Sequence, residues 1–201
     1  MGVPATVAPI PVETPCAVAA RLALDHPRAV KKLVTLDIAP TLAMYEQTTF
    51  EFARAYWHWF FLVRPAPLPE TLIRGDPALY LEQLIGTRGA APGTFTPEAH
   101  AEYSRCLRDP ATAHGFCEDY RAGIGIDLEH DRASLANGER IACDFLALWG
   151  ERGVVQKHFE PLSEWRRYAR HVTGHALPCG HYIPEEAPDA LLQSVLPFLG
   201  A

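Results

Sequence analysis

Two short apolar runs, residues 33–38 (Leu-Val-Thr-Leu-Asp-Ile) and 141–149 (Ile-Ala-Cys-Asp-Phe-Leu-Ala-Leu-Trp), stand far apart in a chain whose intervening residues carry no strand pattern. A nearly continuous apolar run with β-branched residues, closed by a breaker such as Pro40, suits a strand buried on both faces. Such strands need a helical layer on each side and neighbours in one sheet. The chain is therefore predicted to be α/β, with everything between the two runs an excursion from the sheet. Residues 1–44 then form a partial α/β core, 45–138 an inserted helical cap and 139–201 the return to the core.

The helical pattern supports this division. Residues 16–25 place Val18 and Leu22 on one face and stop at Asp25-His26-Pro27. From Thr41 to Arg64 the chain is helical and aromatic, with Phe50, Tyr56, Trp57, Trp59, Phe60 and Phe61, until the prolines at 65, 67 and 69 interrupt it. Further helices are predicted at 70–73, 76–85, 97–107 and 111–123, separated by Gly/Pro breaks. After the second strand come a helix near 163–170, a weaker strand at 172–177 and a last helix over 184–199, where Pro184 suits the first turn.

Composition narrows the function. Of 201 residues, 48% are apolar and 21% charged, enough to bury a core, and disorder is excluded. A net charge of −6, with no basic run longer than Lys31-Lys32, offers no footprint for a phosphate backbone, so no nucleic-acid partner is expected. No apolar run reaches the roughly 18 residues a membrane span needs. The first residues lack the basic flank of a signal peptide. Five scattered cysteines without a C-x-x-C pair read as reduced thiols, which implies the cytoplasm. Nucleotide, metalloprotease and Gly-x-Ser-x-Gly motifs are absent, and neither cofactor nor metal is expected.

Several residues could carry chemistry. Asp37 closes the first strand, where a parallel sheet opens its ligand crevice, although a turn carboxylate would look the same. His181 lies on a Gly-containing turn between the last strand and last helix, suited to a base held above a sheet or to an ordinary surface turn. His58 and Trp59 offer two neighbouring N–H donors for an anion, but their aromatic setting equally suits core packing. Tyr120, on a different helix, adds a hydroxyl. The ligand types His171, His175, Cys179 and His181 suggest zinc by composition. Extended chain rising ~3.3 Å per residue cannot bring all four to one ion.

Leu-Asp-Ile-Ala-Pro-Thr (36–41), Tyr-Trp-His-Trp-Phe-Phe-Leu (56–62), Cys-Glu-Asp-Tyr-Arg-Ala (117–122), Leu-Ala-Leu-Trp-Gly (146–150) and Leu-Pro-Cys-Gly-His-Tyr-Ile-Pro-Glu-Glu (177–186) together resemble the haloacetate (fluoroacetate) dehalogenases of the α/β-hydrolase superfamily. The resemblance runs from about Cys16 onward and implies the C-terminal portion of an α/β-hydrolase fold with an inserted helical cap. It implies that His181 is the water-activating base, Asp37 the acid that orients it, and His58, Trp59 and Tyr120 the halide pocket. The implied partner is a small haloacid, and a homodimer is compatible with the family.

One stretch departs from that pattern. Where the family carries a His-Asp-Arg-Gly elbow, this chain reads Pro11-Val12-Glu13-Thr14-Pro15. By register Glu13 occupies the nucleophile position, while Thr14 and Ala17 occupy the positions of carboxylate-clamping arginines. With four prolines in its first fifteen residues, the opening is expected to be a truncated or frame-shifted reading and the chain to be inactive or impaired. Two alternatives follow. A non-catalytic fragment would associate through the exposed edge of strand 33–38. An epoxide hydrolase-like enzyme would need two cap tyrosines on an epoxide oxygen.

Overall fold

The computed structural model describes residues 13–87 and 90–200, with side chains from 16 to 86 and from 90 to 200. Helix α1 (Glu13–Asp25) leads into strand β1 (Lys32–Leu36). Eight helices follow: α2 (Thr41–Glu46), α3 (Phe50–Ala55), α4 (Trp57–Leu62), α5 (Leu68–Gly75), α6 (Pro77–Thr87), α7 (Pro97–Arg108), α8 (Pro110–Ile124) and α9 (Ile126–Ala136). The chain then returns through β2 (Asp144–Gly150), α10 (Val154–His158), α11 (Pro161–Arg166) and β3 (Val172–Leu177), and ends in α12 (Ile183–Glu186) and α13 (Pro188–Leu199).

The strands form one parallel sheet in the order β1-β2-β3, with Leu33 opposite Phe145 and Phe145 opposite Val172. Being central, β2 is buried on both faces, and its alternation divides the core in two. Phe145 and Ala147 face the larger cluster with Leu33, α1, Trp165 and the cap aromatics. Leu146 and Leu148 face the smaller one with Leu177 and Ile183, closed by Leu191, Val195 and Phe198 of α13. Among the described residues β1 pairs only with β2, leaving its outer side unpaired there. The proline-rich start, residues 1–12, lies outside the described residues.

Several expected boundaries move, each for a local reason. The aromatic stretch 41–64 is three helices rather than one: Thr49 caps α3 by accepting the Phe52 N–H at 3.1 Å, and Tyr56 leaves helical geometry at φ −106°, ψ 39°. The strand expected from Ile141 begins at Asp144, because Ile141 makes only an isolated bridge to Ala169. That bridge also ends the expected helix 163–170 early at Arg166, since the Tyr168 C=O accepts the Ile141 N–H at 2.7 Å. The last helix is split at Ala187, with Pro188 starting α13. Helices α9 and α10 arise where the sequence pattern predicts no element. All five cysteines are free thiols, and among the described residues no helix is long and apolar enough to cross a membrane.

Candidate functional site

The carboxyl ends of β1 and β2 and the loop after β3 converge on Asp37. Its φ is +47°, in the left-handed region that few non-glycine residues enter and that Asp tolerates better than most. The kink follows directly on β1: the Asp37 N–H still donates to the Leu148 C=O at 2.7 Å, while the side chain leaves the sheet. Oδ1 accepts the Gly150 N–H at 2.9 Å, and Oδ2 lies 2.7 Å from His181 Nδ1. Both side chains are 0% exposed. A strained backbone held by strong hydrogen bonds at a sheet's carboxyl end is the setting in which strain serves a site.

Two glycines make this convergence possible. A Cβ on Gly150 would lie 2.0 Å from the Gly180 carbonyl oxygen, so only a glycine lets the end of β2 touch the His181 loop. A Cβ on Gly153 would lie 3.0 and 3.2 Å from the two Asp37 carboxylate oxygens. With Oδ2 of Asp37 as acceptor, His181 Nδ1 carries the proton, which directs the Nε2 lone pair to the other side of the ring. This is the orientation a general base requires.

Tyr56 is the residue that the sequence reading missed. Its fully buried hydroxyl lies 3.1 Å from the same His181 nitrogen, bringing the break between α3 and α4 onto the His181 ring. Nothing in the pattern separated it from the other aromatics of the stretch, because the contact joins positions 125 residues apart. Its ring also touches the proposed halide trio, with centroids 5.2 Å from His58 and 6.2 Å from Trp59.

His58, Trp59 and Tyr120 do come together. Tyr120 from α8 meets both α4 residues edge-on, at 5.9 Å and 85° for His58 and 5.9 Å and 79° for Trp59. All three are buried. A small cavity of about 20 Å³, room for about one water, borders Trp59 and Tyr120 and is lined also by Ala17, Thr41 and Asp127. No Lys or Arg lines it among the described residues. Glu13 is the first residue of α1, and its side chain, like that of Thr14, lies outside the described residues.

His171, His175, Cys179 and His181 form no metal-capable group, and His175 instead meets Ser194 at 3.1 Å on the exposed side of β3. The one such group among the described residues is Glu70, His114 and Glu118 in the cap. There the Arg121 guanidinium already donates to Glu70 at 2.7 Å and to Glu118 at 2.5 Å, with His114 3.2 Å from Glu70. That guanidinium holds the Glu70 carboxyl down to about 2 and supplies the positive charge that a metal would bring.

No family model matches the chain. It is 41% identical over 180 residues to a fluoroacetate dehalogenase from Burkholderia sp., a match spanning 89% of this chain and 59% of that protein. It is 29% identical over 188 residues to a soluble epoxide hydrolase from Corynebacterium sp. strain C12, over 90% of this chain and 62% of the relative. Among solved structures, an α/β hydrolase from Nostoc sp PCC 7120 superposes with a TM-score of 0.87 at 50% identity, covering 92% of this chain and 62% of its own. The chain thus spans about three fifths of the length of the relatives it matches.

Proposed function

The chain belongs to the haloacetate dehalogenase family of the α/β-hydrolase superfamily, and from that premise we propose that it carries the water-activating and halide-binding parts of a haloacetate dehalogenase site. The observation that carries the proposal is the buried pair of His181 Nδ1 and Asp37 Oδ2 at 2.7 Å, joined through Tyr56 to the cluster of His58, Trp59 and Tyr120. In this reaction an aspartate carboxylate oxygen attacks the carbon bearing the halogen, forming an ester as the carbon–halogen bond breaks and halide leaves with its electron pair. His181 Nε2 then takes a proton from water, and the resulting hydroxide adds to the ester carbonyl. Collapse of the adduct breaks the acyl C–O bond, restoring the carboxylate and releasing the hydroxy acid once the alkoxide takes up a proton.

Each residue has a distinct part. Asp37 fixes the tautomer of His181 and balances the imidazolium that forms. His58, Trp59 and Tyr120 surround the leaving halide with N–H and O–H donors in a site shielded from water, where developing charge is best stabilised. The attacking carboxylate falls by register on Glu13, one methylene longer than aspartate, and displacement at the reacting atom is poorly tolerated. Thr14 and Ala17 replace the two charges that would clamp a substrate carboxylate.

The chain as it stands is therefore expected to bind halide without turning over haloacetate. Chloride titration should quench Trp fluorescence saturably, and Tyr120→Phe should weaken that response; an unsaturable, variant-independent signal would remove the halide pocket. A fluoride electrode should read no release from fluoroacetate above background, and Glu13→Asp alone should not restore it. Turnover that disappears in His181→Ala would show that the impairment is misjudged. An epoxide hydrolase reading needs two tyrosines on the epoxide oxygen; the Tyr56 hydroxyl lies 3.1 Å from His181, whereas Tyr45 and Tyr120 both line the cavity beside Trp59. Release of a diol from an epoxide such as styrene oxide, lost in Tyr120→Phe, would favour that reading.

A further inference from the structure

We propose that Glu186 is the positioning residue that presents the His181 imidazole to Asp37. Its carboxylate straddles residue 181: Oε2 accepts the Gly180 N–H at 2.6 Å and Oε1 accepts the Tyr182 N–H at 2.9 Å. These are charge-assisted bonds to the peptide groups on either side of the base, in a turn that belongs to neither β3 nor α12. The turn is closed from within as well, since the Glu186 N–H donates to the Tyr182 C=O at 2.8 Å and the Ile183 N–H to the His181 C=O at 3.0 Å.

The path of the loop is defined from two sides. A Cβ on Gly180 would come within 2.9 and 3.0 Å of the two Glu186 oxygens, so the glycine makes room for the carboxylate. On the opposite side the Gly180 carbonyl oxygen occupies the space that a Gly150 side chain would need. Gly150 also donates its N–H to Asp37 at 2.9 Å. Glu186, Gly180, Gly150 and Asp37 therefore form one connected frame around His181. A shift of the backbone at 180–182 would displace the ring from a carboxylate that is itself immobilised at the end of β1.

The assignment rests on the reading of His181 as the base, but its test does not need turnover. In the 201-residue chain labelled with ¹⁵N at histidine, the His181 Nδ1–H proton should give a low-field resonance protected from exchange. Glu186→Ala should lose it to exchange while the other histidines and the sheet keep native signals. Glu186→Gln retains one acceptor oxygen but points an amino group at the second N–H, so it should give an intermediate, broadened resonance. Wild-type His181 signals in either folded variant would overturn the proposal. So would unfolding of both variants, which would make Glu186 a residue of stability alone. A responsive His181 without halide binding would count against the dehalogenase reading only, and unchanged His181 signals beside intact halide binding against Glu186 only.

Discussion

Two of the carboxylate–histidine pairings in this molecule, Asp37 with His181 and Glu70 with His114, are built on opposite principles. Asp37 and His181 are both 0% exposed, and the partners of Asp37 are a backbone N–H and an imidazole. Glu70 in α5 meets His114 in α8, but Arg121 sits between the cap helices as a fixed cation, and the His114 side chain is 57% exposed. The guanidinium holds Glu70 ionised at every ordinary pH and ties α5 to α8 and, through the Arg64 carbonyl at 2.8 Å, to the turn after α4. A buried carboxylate with an arginine becomes a clamp; one that meets an imidazole fixes which ring nitrogen carries the proton.

Removing the carboxylate from each cluster should separate the two roles. Asp37→Ala would take the acceptor from the Gly150 N–H and leave His181 Nδ1 with only the Tyr56 hydroxyl beside it, and a cost of about 3–5 kcal/mol is expected from losing two buried charge-assisted bonds. Urea denaturation measures it, and a loss no greater than that for Asp37→Asn, which can keep the Gly150 bond, would mean that the pairing with His181 contributes little. Gly153→Ala should come next, at about 1–3 kcal/mol, because the new Cβ crowds the Asp37 carboxylate. A neutral outcome would show that the frame around Asp37 has slack.

In the cap, Glu70→Gln should cost about 2 kcal/mol at neutral pH by removing a charge-assisted bond. The sign of its pH dependence follows from a folded pKa held at about 2 against an ordinary 4.5: the stabilisation is complete above 4.5 and is lost as the pH falls towards 2. Wild type minus Glu70→Gln stability, measured from pH 7 to pH 2, should converge in that window. A constant difference would mean that packing rather than charge is lost. The smallest effect is expected for Glu102→Gln, which breaks an exposed pair with Arg105 at 2.7 Å and should leave the unfolding midpoint unchanged within error.

The legible parts of the fold were those in which the local pattern and the final environment coincide. Residues 33–38 and 141–149 read as buried strands because β1 and β2 are covered by helices, and β2 is apolar on both faces. Asp37 and His181 were visible as a strand-end acid and a glycine-turn histidine. Where a neighbour distant in sequence decided the outcome, the pattern was silent or misled. The aromatic stretch reads as one helix because its periodicity continues through Tyr56, and only the fold brings that hydroxyl to His181. Helix α9 has no clear signature because charged and apolar residues are interspersed through 126–136, and only Leu128 and Ser134 in it are buried.

By itself the sequence determined the α/β class, the excursion between its two principal strands, and the residue types available for acid–base chemistry and for binding an anion. These depend on side-chain periodicity and on backbone breakers, which act over a few residues. Tertiary structure alone decided that Asp37 meets His181 across 144 positions, that Gly150 and Gly180 touch with no room for a side chain, and that Arg121 bridges Glu70 and its neighbour Glu118. Hydrogen bonds and ion pairs depend on distance to within tenths of an ångström, and that distance is set only when the sheet, the cap and the last loop pack together.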